Sequence, residues 1–358
     1  MGTAFALSLL LWEGILRLTV LSPSGYAQHP QLGWSPRPFG RSFNGTEGWA
    51  QTRFNEWGLR DRRIEPKQPG EFRILCLGDS YTVSGAVSEE KTFPRRLEAL
   101  LSTAAARASL PGRPASVRVI NGGRVGINAV YSIGLAETYQ RLFQPDWVVL
   151  QVRDYGDTVF DPVHEFRYER VGTRLKLHHR WHTEEMGKLK RLLLESRIRD
   201  AAVAKLGFQR LQDMVRLRSD AGEAGPSVAT SPALQAVSES VRELRRRYPR
   251  LVLIHFPYGA PENADLLPCQ PEEAEWVEAA RRNAVPMISL RHRFGREYAA
   301  THRPPYGFAN TLPWTGHPNE YGYRLAAEEL ADFFTHSVAG SLAPHGDERQ
   351  NPLPRPNR

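Results

Sequence analysis

The sequence predicts an α/β fold, a doubly wound sheet of five parallel strands, and two patterns carry that expectation. Apolar runs of strand length recur at residues 72–77, 146–152, 251–256 and 285–290, and a further strand at 116–120 alternates. Strands buried on both faces read as such runs, without the polar alternation of a half-exposed sheet. Between most of them stand stretches with apolar residues at three- and four-residue spacing, the mark of helices packed on a parallel sheet. With 358 residues the chain is long enough for one large domain or a domain with an insertion. Its 41% apolar and 24% charged residues are ordinary for a globular protein.

Residues 1–25 form an apolar and then amphipathic segment in which Glu13 and Arg17, four residues apart, pair on one helix face. The uninterrupted apolar run is shorter than the ~18 residues that argue for a spanning helix. No Lys or Arg precedes it, as a signal peptide would require. Residues 26–70 are rich in Pro, Gly, Trp and Arg and read as an extended arm over the surface. Within the arm, Asn44-Gly45-Thr46 fits a glycosylation acceptor, a tripeptide too common to weigh.

Residues 71–338 are the main domain. Its first strand breaks on Gly78-Asp79-Ser80, which on its own reads as a turn. Thr92 is placed to cap a helix, with Pro94 in its first turn, and the helix runs through Leu97, Leu100, Leu101 and Ala104. The second strand leads into a glycine-rich turn from Asn121 through Gly126, and a helix begins near Asn128. Glycine lets a backbone approach a ligand closely, and a helix N-terminus offers free N–H groups to negative charge. Arg153-Asp154-Tyr155-Gly156-Asp157 stands at the end of the third strand.

Residues 160–232 turn basic and helical, an insertion after the third strand. Helices over 234–247 and 272–282 then alternate with the last two strands, and Gly316-His317-Pro318 precedes a helix through Leu325, Leu330 and Phe333 that Pro318 is expected to open. The tail, residues 339–358, is Pro-, Arg- and Asn-rich and reads as disordered.

Two cysteines make no disulfide framework; Cys76 falls in a buried strand and Cys269 in a polar connection. The formal charge of +8 is unaccompanied by any nucleic-acid motif, so a solvated basic face is the simpler reading and no nucleic-acid partner is expected. His178, His179 and His182 lack a carboxylate or cysteine partner in the sequence, so no metal and no cofactor is expected.

Taken together, Gly78-Asp79-Ser80-Tyr81-Thr82, the Glu89-Glu90-Lys91-Thr92-Phe93-Pro94 stretch and Gly316-His317-Pro318-Asn319 with Tyr321-Gly322-Tyr323 resemble the SGNH (GDSL-type) hydrolases. His29-Pro30-Gln31-Leu32-Gly33-Trp34 and residues 54–61 resemble the lead-in of bacterial members. The resemblance implies a flavodoxin-like three-layer α/β/α sandwich, with Ser80 as nucleophile and His317 as base. It also implies that the Ser80 and Gly126 N–H groups form the oxyanion hole.

Two family features are absent. The Asn of the third block is replaced, with Asp157 at its neighbouring aspartate, and Arg153, Tyr155 or Asn128 stands as substitute donor. Trp314 and Thr315 occupy the places where the family's aspartate precedes the histidine. The expectation is therefore a Ser–His dyad, its ring oriented by a backbone carbonyl or the Thr315 hydroxyl, with Asp79 in support.

The function so implied is a serine esterase acting on an ester-bearing small molecule or an acylated cell-surface polysaccharide. The same residues serve an O-acyltransferase. The double loss leaves a non-catalytic glycan-binding or assembly module as the third reading. Related bacterial proteins begin with a leucine-rich helix containing Glu and Arg, which implies a membrane anchor and a domain facing the periplasm or cell exterior.

Overall fold

The computed structural model describes residues 2–19, 26–29, 33–125, 129–153, 166–171, 174–179, 232–258 and 270–338. Helix α1 (Gly2–Thr19) comes first, followed by two antiparallel hairpins, β1 (Tyr26–His29) with β2 (Gly33–Pro36) and β3 (Arg41–Asn44) with β4 (Ala50–Arg53). The arm is thus not merely extended: its short strands pair with one another. Next come β5 (Glu71–Leu77), α2 (Ser80–Val83), α3 (Phe93–Leu101), α4 (Ala104–Ser109), β6 (Ser116–Asn121), α5 (Ala129–Phe143) and β7 (Trp147–Val152).

Where the sequence suggested a wholly helical insertion, the described part is a third hairpin, β8 (Phe166–Val171) with β9 (Arg174–His179). The helical patterns at 186–217, together with His182 and Cys269, lie outside the described residues. The chain continues through α6 (Pro232–Arg247), β10 (Leu251–His255), α7 (Pro271–Arg282), β11 (Met287–Ser289), α8 (Arg291–Thr301) and α9 (Glu320–Asp332). Helix α8 follows the last strand of the sheet and was not expected. It carries four arginine and histidine residues in its first six, which hides its apolar stripe.

The central sheet has the order β11-β10-β7-β5-β6, every neighbouring pair parallel. Counted along the chain this is the flavodoxin-like order, whose reversal between first and third strands opens a crevice at their carboxyl ends. Residue alternation splits the strands between two cores. Phe72, Ile74, Cys76, Val119, Val149 and Ile254 pack against Phe93, Leu97, Leu325 and Leu330 of α3 and α9. Leu75, Leu77, Ile120, Val148, Leu150 and Leu253 pack against Ile133, Val237, Val241 and Trp276 of α5, α6 and α7. Each such fully buried side chain contributes roughly 1.5–3 kcal/mol. The expected three layers are therefore present. Cys76 is a buried free thiol in one of these cores, and burial pushes its proton affinity well up.

Two helix starts differ from expectation in their chemistry. Thr92 sits at the N-cap of α3, but its hydroxyl donates to the Glu89 carbonyl at 2.8 Å and caps nothing. At α9 the cap is Asn319, whose Oδ1 accepts from Tyr321 and Gly322 N–H at 2.9 and 3.1 Å, so Pro318 lies one residue outside the helix. The helix through Leu100 ends at Leu101, and Thr103 opens a separate short helix by accepting from Ala106 N–H.

The arm is bolted to the domain by its last part. Leu59 is fully buried in the core beside α5. Arg60, also buried, donates to the Val83 carbonyl at 3.0 Å and to those of Ser84 and Val87, closing the open end of α2. Asp61 accepts from Arg118 at 2.7 Å and from the Asn121 amide at 2.9 Å, tying the arm to β6.

Candidate active site

Gly78 ends β5 and turns the chain into α2. Its φ of +146° and its packing both require glycine, since a Cβ there would meet the Thr82 hydroxyl at 2.4 Å and Gln151 Oε1 at 2.5 Å. Buried Gln151, on neighbouring β7, accepts from Asp79 N–H at 3.1 Å and from Thr82 Oγ1 at 3.2 Å. The Asp79 carboxylate accepts from Tyr81 N–H at 2.7 Å as the N-cap of α2. Its role is thus to fix the turn, and Ser80 becomes the first helical residue at the carboxyl end of the first sheet strand. The Ser80 N–H is one of the amides a helix start leaves unbonded, and it has no partner among the described residues.

His317 approaches from the other side of the crevice. The Ser80 hydroxyl lies 2.8 Å from His317 Nε2, and His317 Nδ1 bonds the Glu47 carboxylate. The His317 amide also donates to Glu47 Oε2, at 3.3 Å. With Nδ1 as donor, Nε2 is the acceptor that faces Ser80 Oγ–H.

The expectation of a dyad without a carboxylate is therefore corrected. The acid comes from the loop joining β3 to β4, 270 residues away in sequence, not from beside the histidine. Thr315 does not orient the ring, because its hydroxyl donates to the Leu312 carbonyl at 2.7 Å. One signal for Glu47 was available: it is the sole acidic residue between Glu13 and Glu56. Nothing in its spacing connects it to His317.

The loop that delivers Glu47 is built for its position. Asn44 Oδ1 accepts from the Thr46 amide at 3.2 Å, its hydroxyl at 3.0 Å and the Glu47 amide at 3.1 Å, so this asparagine is spent on the turn. Asn310 grips the same loop from the domain. Its Oδ1 accepts from Gly48 N–H at 2.9 Å, and its Nδ2 faces the carbonyls of Gly45, Thr46 and Gly48 at 3.1–3.3 Å. Gly316 makes room for the acid: its φ is +70°, and a Cβ there would stand 2.3 Å from Glu47 Oε1. The Glu47 side chain is almost wholly buried, 4% exposed, while the His317 side chain keeps 29% exposure.

Tyr81 connects the two halves. Its hydroxyl donates to the Gly316 carbonyl at 2.9 Å, and its ring lies 5.1 Å from the imidazole. Arg153, at the end of β7, donates to the Tyr81 hydroxyl at 3.1 Å, with its guanidinium 5.0 Å from that ring. Of the residues considered as substitutes for the missing asparagine, Arg153 is thus brought to the site. Gly126, Asn128, Tyr155 and Asp157 lie outside the described residues.

Burial disfavours the His317 imidazolium, but the Glu47 charge and hydrogen bond outweigh it, helped by Asp79 and opposed by Arg153. The net effect holds the His317 pKa above the ordinary histidine value of 6.5. Among the described residues no group of histidine, cysteine and carboxylate side chains is arranged to hold a metal ion.

No family model matches this chain, and no curated protein does. Among solved structures it is similar to a two-domain esterase active on acetylated mannans, at 16% identity and a TM-score of 0.41 over 76% of this chain. The match covers 51% of that esterase, so this chain aligns with about half of its length. It is also similar to the lipase/acylhydrolase of Enterococcus faecalis, at 16% identity and a TM-score of 0.39, covering 76% of this chain and 98% of that one. An acetyl xylan esterase matches at 14% identity and a TM-score of 0.39, covering 72% and 98% respectively.

Proposed function

We propose that this chain is an SGNH-type serine esterase working through Ser80, His317 and Glu47. The observation that carries the reading is the continuous hydrogen-bonded line from the Ser80 hydroxyl through the imidazole to a buried carboxylate. A histidine fixed in one tautomer by a buried acid is what activates a serine nucleophile.

In this reading the Ser80 oxygen attacks an ester carbonyl carbon while its proton passes to His317 Nε2. The carbonyl electron pair moves to oxygen, where the Ser80 N–H, with Gly126 N–H as the second expected donor, stabilises it. Glu47 stabilises the imidazolium. Collapse breaks the bond to the alkoxy oxygen, and His317 returns its proton to the departing alcohol. A water then attacks the acyl-serine by the same route, releasing the carboxylic acid and restoring the serine hydroxyl. The acylated substrate proposed is an O-acylated polysaccharide. The non-catalytic alternative drew on a double loss, of the third-block asparagine and of an acid beside His317, and the arm's carboxylate answers the second of the two.

The proposal extends to place. The side chains of Phe5, Leu10 and Trp12 on α1 are 56–69% exposed, and a lipid surface would cover them. No helix of the described residues is long and apolar enough to cross a membrane. Attachment of α1 to the surface of a membrane, with the domain facing the periplasm or exterior, is checked by fractionating cells that express the chain with and without residues 2–19.

Fluorophosphonate labelling tests the chemistry. The intact protein is expected to label at Ser80, with labelling abolished in Ser80→Ala and His317→Ala. A folded protein that stays unlabelled would overturn the esterase reading.

A further inference from the structure

The hairpin that carries Glu47 has a second face, which the hydrolytic chemistry does not use. Along β3 the residues alternate between exposed and half-buried, and along β4 between buried and exposed. In the observed register Arg41 faces Arg53 and Phe43 faces Gln51, and all four are exposed. Alternate residues of a strand share a face, so these four side chains form one outward surface.

Two features of that surface work against the fold in isolation. Like charges directly opposite one another across an antiparallel pair are destabilising. Neither arginine has a carboxylate partner among the described residues, although elsewhere arginines such as Arg118, Arg281 and Arg293 are ion-paired. Phe43 on that surface and Trp49 in the loop joining its two strands are 51% and 64% exposed, large apolar areas left to solvent.

Both aromatics are tied to the site. Phe43 precedes Asn44, which holds the Glu47 amide at 3.1 Å. Trp49 lies two residues beyond Glu47, so their Cα atoms are within ~7.6 Å by chain connectivity.

We propose that this surface is a docking platform for an anionic polysaccharide whose charge resides on uronate carboxylates, and that it presents the esterified chain to Ser80. The proposal rests on the esterase reading and names its substrate class. Arginine's planar fork matches a carboxylate in two parallel hydrogen bonds. Exposed aromatic rings offer flat apolar area to the C–H faces of sugar rings, and Gln51 supplies a donor and an acceptor for hydroxyls. A uronate holds its carboxylate on the ring itself, so charge and ring face arrive together, as arginine and aromatic do along β3. An anionic lipid surface satisfies the charge but gives the alternation of ring and cation no purpose.

The test uses the full chain, the double variant Arg41→Ala/Arg53→Ala and Trp49→Ala, with acetylated polygalacturonate, neutral acetylated xylan and 4-nitrophenyl acetate as substrates. The double variant is expected to lose tenfold or more in kcat/KM on acetylated polygalacturonate, through KM, with little change on the other two. Added salt should weaken the intact protein on the charged substrate and leave the double variant nearly unaffected.

Binding is measured separately from hydrolysis by affinity electrophoresis of Ser80→Ala in polygalacturonate gels, where retardation is expected and should vanish with both arginines removed. Equal losses on charged and neutral glycans, or no retardation, would overturn the platform. Arginine-dependent binding to phosphatidylglycerol vesicles without retardation by polygalacturonate would overturn it in favour of a membrane contact. Failure of the esterase reading shows differently, as an intact protein that turns over no ester, 4-nitrophenyl acetate included.

Discussion

Glu47 and His317 make opposite demands on pH, and that opposition is testable at the scale of single residues. The carboxylate holds the imidazole pKa above 6.5, so the protonated ring stabilises the native state below about pH 6.5, and this contribution disappears as pH rises through the folded value. A base must be unprotonated, so activity rises over the same interval. For the intact protein kcat/KM is expected to climb with pH along one limb whose midpoint lies above 6.5. Glu47→Gln keeps the side-chain size, removes the charge and permits the wrong tautomer; it should cost on the order of 10³- to 10⁴-fold in kcat and move the limb to lower pH. A pH–rate profile of the two proteins decides it, and an unshifted limb would detach Glu47 from the base. Arg153, whose charge lowers the imidazole pKa, predicts the reverse displacement: Arg153→Gln should carry the limb upward.

At the scale of elements, the site is made by three pieces distant in sequence: the turn after β5, the loop before α9 and the β3–β4 hairpin. The first two were legible because each is a local motif. Gly78 and Ser80 stand at a strand end, and His317 stands near a helix start. The third was not, because what specifies Glu47 is the fit between Asn44, Asn310 and Gly316, a constraint written across 270 residues. Asn310 is a positioning residue in this arrangement. Asn310→Ala frees the backbone of residues 45–48, and a displacement of about 1 Å at a reacting group can cost ~100-fold. The expected result is a 10- to 100-fold lower kcat with a little-changed KM on 4-nitrophenyl acetate, together with a pH limb displaced toward 6.5. A mere loss of stability would lower the amount of active enzyme without moving the limb. Gly316→Ala makes the same point from the other side of the contact, since its Cβ would displace the carboxylate itself.

Across the whole molecule, the parallel sheet was readable because most of its strands are apolar runs, feeding both cores in alternation. The arm was not, because its short hairpins carry neither an apolar run nor a helical period, and their support comes from single residues inserted into the domain. Those insertions mean the arm folds with the domain and is not a loose strap laid on it. Leu59 is buried in the core beside α5, Arg60 satisfies carbonyls at the end of α2, and Asp61 pairs with buried Arg118. The arm therefore has a structural end and a chemical end, and the two should separate on mutation. Leu59→Ala leaves a cavity and should lower stability by about 2–5 kcal/mol, in one cooperative unfolding transition shared with the sheet. Glu47→Gln, at the other end of the same arm, should destabilise that transition less and less as pH rises through the folded His317 pKa, because the ion pair's contribution is lost as the ring deprotonates. Denaturant titrations followed by tryptophan fluorescence and by far-ultraviolet circular dichroism measure both. Coincident curves for Leu59→Ala would show arm and domain unfolding together, whereas an early fluorescence phase absent from the dichroism would mean that the arm detaches first and that the acid of the site comes and goes with it.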